Sequence, residues 1–327
     1  MTVPQNAPEN APESAMTAGR RAEYALDLAT RAGRSLGVDA EEPRVLHNVF
    51  NVLVHLAPHP VVVRVPTLAV ATVEEQAAKQ RRELAVAGWL ADRGAPVVAP
   101  SPLVPREPVE LDGKSLTFWE FVTETDPLSG VTDPAALEQR FVEQAGWAAQ
   151  LHALLAEHPG DDLPVLSPLV PAVGLTLAEL ARNPHPMLTA AELDRAHAEY
   201  AVLETLVQDL PAYFPGARLQ TLHGDSPTYN ALRTADGHLF SDFEDVTRGP
   251  VEWDLTLVGP QGVEEYERVS GTAVDRALLD VMEGARLLQV VGALAFAALK
   301  PDLAPTLEPV IGLWRTRAPL SLPDAAA

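Results

Sequence analysis

The stretch LHGDSPTYNALRTADGHLFSDFEDVTRGPVEWDL, residues 222–255, decides how this chain is interpreted. Apolar residues on both sides of the turn Ala235-Asp236-Gly237 predict two short strands joined in a hairpin. Asn230 begins the first strand and Asp242 ends the second, so the hairpin brings these two side chains close together. The side chains of this stretch that are candidates for chemistry are His223, Asp225, Asn230, Asp242, Glu244, Asp245 and Asp254.

An amide oxygen that faces a carboxylate suits a hard cation. Mg²⁺ prefers oxygen ligands and takes water or phosphate oxygens at its remaining positions, so Asn230 and Asp242 are candidate magnesium ligands. Asp225 lies in a loop between two short predicted strands, five residues before Asn230. A polar side chain in such a loop can point into a cleft without breaking a β-ladder. Asp225 is therefore free to act as a base.

Upstream of this stretch the sequence predicts a small antiparallel sheet with one helix. The alternating run VLHNVFNVLV (45–54) and the run VVVRV (61–65) are expected to form a hairpin. Thr72 and Glu75 predict a capping box at the start of the helix. The strand SLTFWEFV (115–122) completes the sheet.

After residue 122 the pattern becomes helical. Asp133 begins a helix whose apolar residues recur at spacings of three and four, and Thr189 with Glu192 begins another. The chain is helical again from residue 251. A β-rich lobe followed by a helical lobe is an α+β arrangement, in which the cleft between the lobes is the natural site.

We therefore expect an α+β fold of two lobes. Residues 1–18 are rich in Ala, Pro, Asn and Glu without apolar periodicity, and are expected to form a flexible tail. Residues 19–122 are expected to form a small antiparallel β N-lobe. Residues 123–327 are expected to form a larger, mainly helical C-lobe.

Composition excludes several classes of protein. The chain has 327 residues, 47% of them apolar and none of them cysteine, so it can bury a core but cannot form disulfides or thiolate sites. Its start has no apolar run behind a basic head, and the longest nearly uncharged apolar run, residues 287–299, is too short to span a bilayer. We expect a cytoplasmic protein with no membrane partner.

The formal net charge is −21, and a surface of that sign repels nucleic acid. The excess is uneven, because residues 123–327 carry 12 basic and 30 acidic residues, a net charge of −18. Two explanations stay open, general acidic solubility and a site for a cationic acceptor. The acidic clusters available to such a site are Glu124 with Asp126, Asp161 with Asp162, and Glu264 with Glu265 and Glu267.

The motif HGDSPTYN, followed by DFE and then WDL, resembles the aminoglycoside phosphotransferase and choline kinase superfamily, whose fold is that of the protein kinases. The resemblance implies that Asp225 is the catalytic base and that Asn230 and Asp242 are the magnesium ligands. His223 would brace the catalytic loop. The remaining supporting residues it implies are Glu244, beside the metal, and Asp254, with a structural role.

The resemblance extends into the N-lobe, which it implies is the nucleotide-binding lobe. VVVRV resembles the phosphate-contacting strand, with Arg64 where protein kinases carry lysine, and Glu83 stands where the family's helix pairs with that cation. TFWEFV resembles the hinge, whose backbone from Glu120 to Val122 would bind adenine. Alternatively, Arg64 is an outward-facing charge and Glu83 pairs with Lys79 one turn earlier.

Two departures from the family pattern stand out. The predicted phosphate-covering hairpin VFNVLVHLAPHPVVVRV (49–65) contains no glycine, so its backbone is expected to cover a nucleotide less closely. Residues 226–229 read Ser-Pro-Thr-Tyr where many relatives have His, Pro and Gly. The spacing between Asp225 and Asn230 is kept, so we expect the geometry of the base and the metal to survive.

The expected function is transfer of the γ-phosphoryl group of ATP or GTP, with Mg²⁺, to a hydroxyl of a small molecule bound by the C-lobe. A cationic acceptor, such as an aminoglycoside or an amino alcohol, is one hypothesis. The alternative is a non-catalytic nucleotide-binding or sensing module. The joint presence of Asp225, Asn230 and Asp242 argues against it, and the glycine-free hairpin argues for it. A histidine-based metal hydrolase lacks convergent ligands. The oligomeric state is not predicted.

Overall fold

The structure is a computed structural model that describes residues 17–68, 71–301 and 303–323. The first sixteen residues of the predicted tail lie outside these ranges. The last two residues of the predicted tail instead start helix α1 (Ala18–Ser35). Thr17 caps this helix with its side chain, and Ala18 is its first residue. Helix α1 is a correction to the sequence analysis, which expected one helix in the N-lobe. Its buried residues Ala25 and Leu28 pack in the core of the N-lobe sheet.

The N-lobe is built on an antiparallel sheet, five-stranded in the described residues, in the order β1-β2-β3-β5-β4. Val63 of the central strand is buried, paired with Val54 on one side and Phe118 on the other. The strands are β1 (Glu42–Asn48), β2 (Asn51–Ala57), β3 (Val61–Pro66), β4 (Val109–Leu111) and β5 (Lys114–Glu120).

The alternating run at residues 45–54 was predicted as one strand, and that prediction is wrong. The chain turns at Val49 and Phe50, so the run divides between β1 and β2. A two-residue turn leaves an alternating pattern in phase, and periodicity alone does not reveal it. After the N-lobe helix, Val97 and Pro100 form isolated bridges only.

Helix α2 (Val73–Ala91) begins with the predicted capping box of Thr72 and Glu75, which is confirmed. The other α-helices in the described ranges are α3 (Pro134–Leu155), α4 (Ala172–Arg182), α5 (Ala190–Gln208), α6 (Leu210–Tyr213), α7 (Gly259–Ser270), α8 (Arg276–Gly292) and α9 (Leu303–Thr316). None of the helices in the described part of the chain combines the length and apolar character needed to span a bilayer.

Two antiparallel strand pairs lie within the helical lobe. The predicted hairpin is present as β7 (Ala231–Thr234) and β8 (Gly237–Phe240), while β6 (Gln220–Leu222) pairs with β9 (Thr247–Gly249). Strand β9 and helix α4 were not predicted. The α+β architecture of a small antiparallel sheet lobe and a larger helical lobe is confirmed.

One hydrophobic cluster joins the two lobes. Val86 and Leu90 of α2, Leu151 of α3, and Ala231 and Phe240 of the β7–β8 hairpin are buried together. Burial of a valine, leucine or phenylalanine side chain contributes on the order of 1.5–3 kcal/mol. The cluster therefore fixes the hairpin that ends near Asp242 against the helix that carries Glu83.

Candidate active site

A cleft of about 710 Å³ lies between the N-lobe sheet and the β7–β8 hairpin. Its volume falls in the range of small-molecule and cofactor sites. The predicted site residues that line it are Arg64, Glu83, Glu120, Val122, Asn230 and Asp242. Residues that are distant in sequence therefore meet in one space.

The hinge side of the cleft is formed by the end of β5. The N–H of Glu120 donates to the carbonyl of Ala99 at 2.9 Å, and the N–H of Phe121 donates to the carbonyl of Pro60 at 3.0 Å. Within the described residues the N–H of Val122 donates to no other group. Of these three amides, that of Val122 is the one open to a ligand in the cleft.

The β1–β2 turn covers the opposite side of the cleft. Val49, Phe50 and Asn51 line it, whereas the turn between β2 and β3 does not, so the cover is a shorter segment than the predicted 49–65. The ring of Phe50 meets that of Phe296 edge-on, with centroids 5.8 Å apart. This contact joins the N-lobe to the region that follows α8.

Arg64 and Glu83 form a buried ion pair across the back of the cleft. Arg64 is 4% exposed and Glu83 is fully buried. Nη2 of Arg64 donates to Glu83, and the other terminal nitrogen, Nη1, donates to Oδ1 of Asp242 at 2.8 Å. The alternative of an outward-facing Arg64 is therefore wrong, because Arg64 faces inward. The alternative of a Glu83–Lys79 pair is also wrong, because Lys79 pairs with Asp245 at 2.7 Å instead.

The acidic residues around Arg64 and Lys79 perturb one another. Burial and the neighbouring carboxylate of Glu244 raise the pKa of Asp242 well above its usual range. Burial would also raise the pKa of Glu244, but the Lys79 and Arg64 cations outweigh it and hold that pKa below its ordinary value. Burial raises the pKa of Glu83 to about 7 although Arg64 opposes the shift.

The loop after β6 depends on a glycine. Gly224 has φ +91°, and a Cβ there would lie 1.8 Å from the carbonyl oxygen of Asp245, so other residues do not fit. Asn230 donates its side-chain N–H to the carbonyl of Asp225 at 2.8 Å. This bond closes the loop and uses the amide nitrogen of Asn230, not its amide oxygen. The side chain of Asp225, beside the cleft, is 44% exposed.

Asp254 holds this loop from below. Its carboxylate accepts from the backbone N–H groups of His223 and Gly224, each at 2.9 Å, and from Nε2 of His152 at 3.0 Å. Burial would raise the pKa of Asp254, but the hydrogen bond and charge of His152, with other donors, lower it. His223 donates in turn to the carbonyl of Ser241 at 2.8 Å. His223 and Asp254 therefore both hold the loop after β6 in place, as their predicted structural role requires.

The sequence analysis missed Arg286 on α8. Its Nη1 donates to Oδ1 of Asp225 at 3.0 Å. The signal was present, because Arg286 is the last charged residue before the apolar run 287–299 and lies in the buried part of α8. Lys79 was noticed, but its partners, Asp245 and Glu244, were not predicted.

The donor set fits a magnesium ion that shares its coordination with phosphate. Among the described residues no group of three or more His, Cys, Asp or Glu side chains is arranged to hold a metal. Asn230 and Asp242 instead offer one amide oxygen and one carboxylate towards the cleft. Two such ligands suit Mg²⁺, which keeps several positions for phosphate oxygens and water.

Comparison with known families agrees with this geometry. A family model described as "APH: Phosphotransferase enzyme family" matches residues 47–288, well over half of the chain. The chain belongs to this family. The match begins in strand β1 and ends within α8, so it includes all six of the predicted site residues that line the cleft. A comparison of this phosphotransferase-family chain with curated proteins finds no match.

Solved structures show the fold that this phosphotransferase-family chain shares. A choline kinase, LicA from Streptococcus pneumoniae, is 13% identical with a TM-score of 0.59, covering 90% of this chain and all of the other. The GDP and kanamycin complex of APH(2″)-IIIa is 16% identical with a TM-score of 0.57, covering 88% and 97%. An aminoglycoside-3′-phosphotransferase of type VIII is 21% identical with a TM-score of 0.55, covering 81% and 97%. These proteins share the protein-kinase-like fold.

Proposed function

We propose that this protein is a small-molecule kinase that transfers the γ-phosphoryl group of ATP or GTP to a hydroxyl group. The acceptor oxygen attacks the γ-phosphorus and forms a new O–P bond, while the bond to the β,γ-bridging oxygen breaks. The nucleoside diphosphate leaves with the electrons of that bond, and the hydroxyl proton passes to the carboxylate of Asp225.

The observation that supports the proposal most strongly is the meeting of Arg64, Asn230 and Asp242 in one cleft beside Asp225. Arg64 would bind phosphate oxygens with its planar guanidinium. Val122 would bind the base through its N–H group. Mg²⁺, when bound to Asn230 and Asp242, would offset negative charge on the phosphates. In this proposal the γ-phosphorus would lie between the cleft and Asp225.

Nucleotide binding is expected to require Mg²⁺. Asp242 and Glu244 lie near Arg64, and Asp225 is close enough to influence the pKa of Asp242, so a triphosphate would enter beside several carboxylates. Without a divalent cation that repulsion should weaken binding on the order of tenfold or more. Calorimetric titration of ATP and GTP in Mg²⁺ and in EDTA measures the difference.

The variant Asp242→Asn is the matched control for this titration. It removes a charge and a proposed ligand together, so its affinity should depend much less on Mg²⁺ than that of the wild type. Equal wild-type affinity in Mg²⁺ and EDTA would contradict the assignment of Asn230 and Asp242 as metal ligands.

A cationic acceptor now depends mainly on Glu124. Asp126 is bonded by Arg140 and Arg233. On α7, Glu265 pairs with Arg268 and Glu267 with Arg276. The remaining clustered residues, Glu264, Asp161 and Asp162, do not line the cleft. Glu124 lines the cleft and forms no ion pair with any described residue. Burial raises its pKa, and a bound ammonium group would relieve that cost.

The experiment is a turnover screen with ATP and GTP against amino sugars, amino alcohols, macrolides, neutral sugars and nucleosides, with detection of phosphorylated product by mass. We expect an amine-bearing acceptor to give the highest kcat/KM. Glu124→Gln should then raise its KM about two- to fivefold, as for a partly exposed ion pair, and leave a neutral acceptor unaffected. Nucleotide binding without turnover on any acceptor would instead favour the non-catalytic module.

A further inference from the structure

Arg286 is a buried cation, and the packing of the helical lobe alone does not explain why a charged residue stands at this position. It lies on α8 and is 4% exposed. Its Nη1 donates to Oδ1 of Asp225 at 3.0 Å, whereas among the described residues no donor bonds to Oδ2 of the same carboxylate. One oxygen of Asp225 is therefore held, and the other is open on a side chain that is 44% exposed.

The guanidinium of Arg286 is itself fixed on several sides. Nε donates to Oγ1 of Thr256 at 3.1 Å, and Nη1 also donates to Oε1 of Gln289 at 2.7 Å. The guanidinium carbon lies 3.8 Å from the centre of the Trp253 ring, a cation–π distance. Trp253 donates its own Nε1–H to the carbonyl of Gly224 at 2.7 Å. Both partners of this stack thus contact the loop that carries Asp225.

This arrangement is costly for a residue with a purely structural role. Nη2 of Arg286 is buried and has no hydrogen-bond partner among the described residues, and a buried donor without a partner opposes folding. The adjacent residues Leu287 and Leu288 are buried and apolar. An apolar side chain at position 286 would match this buried part of the helix without burying a charge.

We infer that Arg286 is a positioning residue, which orients the Asp225 carboxylate so that Oδ2 receives the acceptor proton. The inference rests on the proposed function, because it assigns one oxygen of the proposed base to the reaction. The acceptor O–H bond breaks as the O–P bond forms, and the proton passes to Oδ2 while Arg286 holds Oδ1. Arg286 itself exchanges no proton, and its effect on the rate is through the orientation of Asp225.

Arg195 provides a matched control in the same lobe. It also pairs with a carboxylate, donating from Nε to Glu199 at 2.8 Å, and its guanidinium lies 4.2 Å from the Trp314 ring. It lines no part of the cleft. The two arginines therefore share a carboxylate and a tryptophan as partners and differ in their distance from Asp225.

The test compares the wild type with Arg286→Met, Arg286→Lys and Arg195→Met. We expect Arg286→Met to lower kcat on the order of 10²-fold, the effect of a misplaced catalytic group, with KM for the nucleotide changed less than about threefold. Arg286→Lys should recover part of kcat, since an ammonium can reach Oδ1 but lacks the guanidinium fork. Arg195→Met should lower the melting temperature with kcat unchanged.

The outcomes separate this inference from the proposed function. A wild-type protein that phosphorylates no acceptor overturns both. An active wild type with kcat of Arg286→Met within threefold of its own overturns the inference alone, as does an equal loss of kcat in Arg195→Met. If Arg286→Met does not fold, Arg286→Lys decides, and unchanged kcat in that variant counts against a positioning role.

Discussion

Asp225→Asn is expected to suppress phosphoryl transfer by a factor on the order of 10² to 10⁴, the usual contribution of a positioned base. The amide has the same shape as the carboxylate but cannot accept the acceptor proton as readily. The backbone contacts of the loop, including the Asn230 bond to the carbonyl of residue 225, do not depend on the substituted group. Nucleotide affinity should therefore stay close to that of the wild type.

The measurement combines kcat with calorimetric nucleotide affinity. Asp236→Asn is the control, because this aspartate lies in the exposed turn between β7 and β8, and the same chemical change there should leave both quantities unaltered. An Asp225→Asn protein that phosphorylates its acceptor at the parental rate would refute the assignment of the base. Loss of nucleotide binding together with turnover would indicate damage to the cleft instead.

Local signals in the sequence predicted local structure. The capping boxes at Thr72 and Thr189 are both present with their reciprocal hydrogen bonds, because such a box involves residues only three positions apart. Helix α4 begins after Pro171 with no side-chain cap and gave no such signal. Strand β9 is three residues long and is defined by its pairing with β6, a contact that no local pattern encodes.

The same distinction applies to the site. The proximity of Asn230 and Asp242 could be predicted, since one short hairpin relates them. The Arg64 and Glu83 pair followed from the family resemblance. The contact between Arg286 and Asp225 spans 61 positions and depends on how α8 packs beneath the loop, so it required the three-dimensional structure. The total charge did not show which acidic residues are free to bind a ligand, because Asp126, Glu265 and Glu267 are each paired with an arginine.

Asp254→Ala is expected to produce a large loss of stability. Asp254 is fully buried, and its removal leaves the N–H groups of His223 and Gly224 and the Nε2–H of His152 without their acceptor. A carboxylate cannot donate, so Nε2 carries the proton in this contact. Breaking a buried charged network costs about 3–5 kcal/mol. For a chain of this size that corresponds to a fall of roughly 4–7 °C in melting temperature.

The pH dependence of the melting temperature distinguishes a charged carboxylate at position 254 from an uncharged hydrogen-bond acceptor. Because the folded pKa of Asp254 lies below its ordinary value of 3.8, its ionised form stabilises the folded state fully above that value. The contribution is lost as the pH falls through the folded pKa. The difference in melting temperature between the wild type and Asp254→Ala should thus be constant near neutrality and should narrow below about pH 4.

Asp275→Ala is the control for this prediction. Asp275 also accepts from two backbone N–H groups, those of Ala277 and Leu278 at 2.9 and 3.1 Å, but as the exposed N-cap of α8. Water can replace an exposed cap, and its loss typically costs about 1 kcal/mol. Thermal unfolding of both variants should show a several-fold larger effect at Asp254. Similar shifts for the two would mean that the His223–Gly224 loop does not depend on the buried carboxylate, and that another contact holds Asp225 in place.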